Sequence, residues 1–265
     1  MGVLLGTSGW QYKSWREAFY GGAPQKGWLE HYAENFQTVE VNNAFYRLPE
    51  RSTFEAWAER TPEDFVVGVK MSRYLTHIKR LKDPGEPVQR FLDRTEGLGN
   101  KLGPVLLQLP PNLQANVDSL EETLSLFPKQ IRVAVEFRHE TWFVDEVRNV
   151  LEKHNAALSW ADGPKRSTPT WQTADWGYLR FHQGTGRPMP CYRPSALRSW
   201  AEEVAAHYGP DEDVYVYFNN DPNVCAVRDA GRFGALVEEQ GVDCTRYPDP
   251  KHIAVTNTPF EGSIG

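Results

Sequence analysis

Three pairs of polar residues stand two positions apart in otherwise apolar runs: Glu40 and Asn42, Glu136 and Arg138, Arg180 and His182. In an extended strand, residues two apart point to the same face. Each pair therefore aims two functional groups one way. A carboxylate beside a cation, or near an imidazole, is the material of general acid–base chemistry. Other apolar runs end in Lys70, Gln108, Asp162, and the Asn219, Asn220, Asp221 series.

Four chemistries fit this inventory. The first is capture of an anion. Lys70, Arg73, His77, Lys79, Arg80 and Lys82 follow one another after the third run. Arg47, Arg138 and Arg180 come from other segments, and arginine presents a planar fork to phosphate or carboxylate. The glycine-rich "HQGTGRP" after His182 adds a weak signal of the same kind. The second is acid–base catalysis by Glu136, Glu40 or Asp162 with His182 or His77, Glu136 being the first choice. The third is a divalent metal held by Glu136, Asp162, His182 and Asp221. That signal is poor, because no HxH, HExxH or cysteine cluster is present. No cofactor is expected. The fourth is stacking of a base or sugar on Trp10, Tyr12, Trp15, Tyr46 or Trp142. Each has a structural counterpart. Buried charges can pair with one another without chemistry, Lys79, Arg80 and Lys82 can form a solvated face, and the rings can cap a core.

The elements that would carry these groups alternate. Eight β-rich runs begin near Val3, Thr38, Phe65, Pro104, Ile131, Ala156, Gly177 and Asp213. Most are branched or aromatic and apolar throughout, as parallel strands covered on both faces are. Helical patterns lie between them. One is "STFEAWAERTP", with Ser52 or Thr53 as the expected N-cap. The interval "GPKRSTPTWQTADW" predicts a loop with at most a short helix. Eight such alternations predict an α/β fold, a TIM-type (β/α)8 barrel in a single domain over 1–265, with a C-terminal tail from about 253. A doubly wound open sheet is the alternative. In the barrel, the C-terminal strand ends form the site. Lys70, His77, Arg138, Arg180, Asn42, Tyr46, Gln108, Trp142, Asn219, Asn220 and Trp10 are then expected to bind ligand.

Bulk properties narrow the class. The 265 residues are 40% hydrophobic and 24% charged, with nine Trp and a net charge of -6. That balance gives no general reason to bind nucleic acid, although a local basic patch remains compatible with it. Cys191, Cys225 and Cys244 make an odd count without CxxC spacing. A disulfide framework is not expected on that ground, and a reducing, cytoplasmic setting is. No apolar run approaches the roughly 20 residues a membrane span needs.

The segments "GTSGWQYKSW", "TVEVNNAFYRLP", "KMSRYLTHIKRL", "LGPVLLQLPP", "EFRHETW", "YLRFH" and "VYFNND" together resemble the domain-of-unknown-function 72 family, the YecE-like proteins. The likeness runs from about Leu5 to about Ala230. It implies a TIM-type barrel and supplies no reaction. Gln183 departs from it, standing where members often carry glycine after the histidine. The expectation is an enzyme acting on a phosphorylated or other anionic ligand: a sugar phosphate, a nucleotide or a nucleic-acid fragment. The alternatives are a non-catalytic binding or scaffold protein, and a metal-dependent hydrolase or isomerase.

Overall fold

The computed structural model describes residues 2–163 and 166–257. All eight apolar runs form strands: β1 (Val3–Thr7), β2 (Thr38–Val41), β3 (Val66–Lys70), β4 (Leu102–Gln108), β5 (Val133–Glu136), β6 (Ala157–Gly163), β8 (Gly177–Phe181) and β9 (Val214–Phe218). A two-residue strand, β7 (Arg166–Ser167), runs antiparallel to the end of β6. The hydrogen-bonded order is β1-β9-β8-β6-β5-β4-β3-β2, with β7 off this path. With helices between the strands, this is the (β/α)8, TIM-type class.

The helices are α1 (Trp28–Asn35), α2 (Asn43–Tyr46), α3 (Arg51–Glu59), α4 (Gly85–Thr95), α5 (Val117–Ser125), α6 (Asp145–Lys153), α7 (Pro194–His207) and α8 (Cys225–Glu239). α5 is capped by Asn116, whose Oδ1 accepts from the Ser119 amide at 2.9 Å. α7 opens with proline, whose missing N–H is one that a first turn leaves unused. The N-cap of α3 is Glu50, without a side-chain bond, so Ser52 and Thr53 lie inside the helix. Between β6 and β8 no helix occurs among the described residues. The predicted C-terminal tail lies mostly outside the described residues.

Two compact units divide the chain, the division passing through β2, β6 and β8. The first comprises Met1–Glu40, Ala161–Ser167 and Leu179–Gly265. In it β1 and β9 pair from Val3↔Val214 to Thr7↔Phe218, and a parallel bridge joins Ser8 to Glu40. Its core is aromatic. Phe181 stacks on Phe218 with centroids 4.5 Å apart, and Phe233 from α8 closes on both. Each such ring, taken from water, contributes roughly 1.5–3 kcal/mol.

Cys191 and Cys225 form a disulfide, their Cα atoms 4.8 Å apart. The expectation against a disulfide framework did not allow for this bridge, and the argument from cysteine parity to a reducing compartment loses its basis. An odd count leaves one thiol over; it does not stop the other two from meeting. The bridge fastens the segment before α7 to the first residue of α8. Cys244 stays a thiol, pushed up in pKa chiefly by burial.

The second unit comprises Val41–Trp160 and Thr168–Tyr178. Here β4 and β5 pair from Val105↔Val133 to Gln108↔Glu136. α3, α4, α5 and α6 cover the strands with Phe54, Phe91, Leu120 and Val147, all buried. Among the described residues no helix is long and apolar enough to cross a membrane.

Candidate functional site

In the second unit, strand register brings the polar ends together. Because Gln108 pairs with Glu136 across β4 and β5, the amide reaches its neighbour directly. Gln108 Nε2 donates to Glu136 Oε1 at 2.8 Å, and Arg138 Nε donates to the same oxygen at 3.0 Å. Glu136 is buried, whereas Arg138 keeps part of its side chain in solvent. The i, i+2 spacing thus yields a contact: a buried carboxylate orients a guanidinium at the strand end.

β3 adds Lys70, whose Nζ lies 4.2 Å from the centre of the Phe45 ring. Phe45 belongs to α2, the single helical turn that follows β2. The edge of His77 meets the same ring at 4.9 Å, and Tyr46 packs against it edge-on at 5.0 Å. Tyr46 itself is 73% exposed. His77 sits on a π-helix, Tyr74–Lys79, that buries Leu75 and Thr76 and ends at Arg80 and Leu81 in left-handed conformation. Its Nδ1 lies 2.9 Å from Thr76 Oγ1.

The electrostatics of this cluster are one-sided. His77 is held at a pKa of about 4, first by burial and then by the positive charges of Lys70, Arg138, Arg73 and Arg80. The ring is consequently neutral near pH 7. Asn42 Oδ1, at the start of α2, is buried without a hydrogen-bond partner. Such an acceptor costs about 1–3 kcal/mol unless a donor reaches it. A cavity of about 240 Å³ lies among Leu48, Ser72, Arg90 and Arg94.

The first unit gathers a different set. Arg180 Nη2 donates to Glu40 Oε1 at 2.8 Å, and Ser8 Oγ donates to the same oxygen at 2.7 Å. Glu40 is 0% and Arg180 1% exposed. This is a buried ion pair whose carboxylate also accepts from a hydroxyl. Close by, the Tyr12 hydroxyl donates to the Ser8 carbonyl at 2.5 Å. Burial raises the Tyr12 pKa, and the charges of Asp221 and Glu40 raise it further. Asp221, half-buried beside Trp15, is pushed up to about 6 by burial.

His182 Nδ1 lies 3.2 Å from Asn219 Nδ2. Asp162 takes hydrogen bonds from Tyr192 and Trp200, and burial raises its pKa against them. Since Trp200 lies on α7, that carboxyl is turned toward this helix. Asn220 is buried as well, its Nδ2 donating to Asp229 Oδ2 at 2.9 Å. Asp229 also accepts from the Tyr192 amide at 2.7 Å.

Within each unit, the sequence-predicted residues meet as follows. Glu136, Arg138 and Gln108 meet, as do Lys70, His77 and Tyr46 around Phe45. Glu40 meets Arg180, and His182 meets Asn219. Asp162 and Asn220 are each held in hydrogen bonds. Trp142 is buried, stacked on Phe137 at 4.7 Å, with Nε1 donating to the Leu113 carbonyl. Trp10 is buried too, its carbonyl accepting from Tyr20. Sequence reasoning passed over Ser8, Phe45, Tyr192 and Asp229. Ser8 and Phe45 lie beside singled-out motifs, but only packing shows what they touch. Among the described residues, no group of three or more His, Cys, Asp and Glu is arranged around a common metal position.

Alternating strands and helices, with carboxylates, amides and cations at the carboxyl ends of the strands, define a (β/α)8-class protein with polar strand ends. The chain belongs to the DUF72 family, proteins of unknown function, whose pattern matches residues 4–253. It is 26% identical to the UPF0759 protein YunF of Bacillus subtilis (strain 168), over 73% of this chain and 80% of that one. A DUF72 family protein of Thermotoga maritima MSB8 superposes with a TM-score of 0.79 at 28% identity, covering 90% of this chain and 100% of its own. A DUF72 family protein of Enterococcus faecalis V583 shares the fold at a TM-score of 0.73 and 20% identity, covering 89% and 98% of the two chains.

Proposed function

We propose that this DUF72 protein binds a small anionic ligand, carrying phosphate or carboxylate, at the cluster of Lys70, Arg138 and His77. The observation that carries the reading is the local charge. Between residues 65 and 82 stand Lys70, Arg73, Lys79, Arg80 and Lys82 without one acid, in a chain whose net charge is -6. Lys70, Arg73, Arg80 and Arg138 all act on the neutral His77. An anion placed there meets two kinds of donor, a compact ammonium and a planar guanidinium that Glu136 orients through Nε. His77, uncharged, adds a hydrogen bond without adding to the repulsion among the cations. The reading is built on the second unit; Arg180 belongs to the first, where it pairs with Glu40.

Thermal shift with inorganic phosphate, sulfate and small phosphorylated or carboxylated compounds tests it. A ligand that binds only the folded chain stabilises by about 2.7 kcal/mol at a hundred times its Kd. The expected result is a rise in melting temperature that Lys70→Met and Arg138→Met each reduce. A melting temperature indifferent to every anion at millimolar concentration rejects the proposal.

A further inference from the structure

Resting on that anion-binding reading, we infer that the ligand carries a flat ring as well as its anionic group: the Tyr46 ring is a stacking platform, and the ligand chemistry is that of a nucleoside phosphate.

The geometry is that of one ring, Phe45, with three neighbours. Lys70 Nζ lies against it at 4.2 Å, His77 meets it at 4.9 Å, and Tyr46 meets it at 5.0 Å with the two planes at 88°. Phe45 is buried and so acts as a fixed spacer. The exposed ring and the ammonium can therefore be no further apart than the two contacts laid end to end, about 9 Å. A ligand that reaches both must combine an anion and an apolar plane within that span. A nucleoside monophosphate does, and a bare sugar phosphate has no plane to offer.

Exposure supports the assignment. Tyr46 is the most exposed of the large hydrophobic side chains among the described residues. A ring of that size left in water keeps its apolar face available, and bases stack on such faces whatever their sequence. Its perpendicular contact with Phe45 fixes the ring plane without covering it.

The chemistry is shared by a free nucleotide and by the end of a nucleic-acid strand. Calorimetric titration of the full chain distinguishes them, with four probes: inorganic phosphate, ribose 5-phosphate, adenosine 5′-monophosphate and a 5′-phosphorylated hexathymidylate. The mononucleotide is expected to bind at least about 5-fold more tightly than ribose 5-phosphate, the lower end of what stacking of one base contributes. Tyr46→Ala should abolish that difference and leave ribose 5-phosphate unchanged, while Tyr46→Trp keeps it. Because Tyr46 is exposed, these variants should fold, and their circular dichroism checks that they do. A hexanucleotide that outcompetes the mononucleotide identifies a strand end, and equal affinity identifies the free nucleotide. Equal binding of ribose 5-phosphate and the mononucleotide overturns the inference and leaves anion binding standing. A base preference that survives Tyr46→Ala overturns it too. If no phosphate compound binds, anion binding itself fails and the inference falls with it.

Discussion

Replacing Arg180 with methionine asks whether the buried pair in the first unit is structural. The substitution keeps much of the side-chain volume and removes the positive charge from a Glu40 carboxylate that no water reaches. Breaking a buried pair by deleting one partner costs about 3–5 kcal/mol, since the remaining charge has lost its compensation. Ser8 Oγ still donates to Glu40, so the lower half of that range, about 3–4 kcal/mol, is expected. Urea unfolding followed by far-UV circular dichroism and tryptophan fluorescence reads the loss as a shift in midpoint. Two further results follow from the same cause. The deficit should shrink as pH falls toward 5, because protonation relieves the stranded carboxylate. The double variant Glu40→Gln, Arg180→Met should recover to within about 1–2 kcal/mol of the parent, because residues in direct contact couple by about 0.5–3 kcal/mol. A single variant within about 1 kcal/mol of the parent, or a double variant no better than the single, would refute the reasoning.

Three other outcomes are expected. Sulfate does not titrate near neutrality, so its affinity should rise as pH falls from about 6 toward 4. A bound anion raises the pKa of His77 from its low value of about 4, and proton uptake should appear as buffer-dependent heats. Flat affinity across that range counts against His77 lying beside the anion. Asp221→Asn should stabilise the protein at pH 7 by about 1–2 kcal/mol, a figure reduced for its partial exposure. Its carboxyl titrates near 6 in the fold against 3.8 ordinarily, so the cost of ionising it grows as pH rises between those values. The gain should vanish below about pH 4 in a series of melting curves. Replacing Cys191 and Cys225 together by serine releases a loop of sequence separation 34 and should remove about 3–4 kcal/mol. Calorimetry should show a fall in melting temperature on the order of 10 °C.

The strands were legible because each is a short, branched, apolar run with nothing helical in its spacing. The partners of their polar ends were less so. Glu136 and Arg138 could be paired from the i, i+2 rule alone. Gln108 joins them through the register of β4 on β5, which lies between segments and is written in neither. Asp162 shows the limit of reading by position. It ends a strand as the other acids do, yet it shares a face with Trp160, two residues earlier, and is turned to Tyr192 and Trp200. Cys191 and Cys225 meet because two segments fold back on one another, a proximity no cysteine count contains. In the sequence the turn after β3 is a run of charge. Its π-helical winding depends on burying Leu75 and Thr76 while His77 reaches Phe45, and that is a matter of packing.

That wider winding has a consequence for how the segment can change. A π-turn holds one residue more than an α-turn over the same height. Deleting a single residue between Tyr74 and Lys79 would let the backbone relax into ordinary α geometry and re-aim the side chains kept within the turn, since successive α residues are rotated by about 100°. Leu75 and Thr76 would no longer share the buried side, and the imidazole would swing off the phenyl ring. Engineered or natural length variation at this one position is therefore a sharper probe of the segment than substitution. Relatives that shorten it should lose the histidine's place even where they keep the histidine.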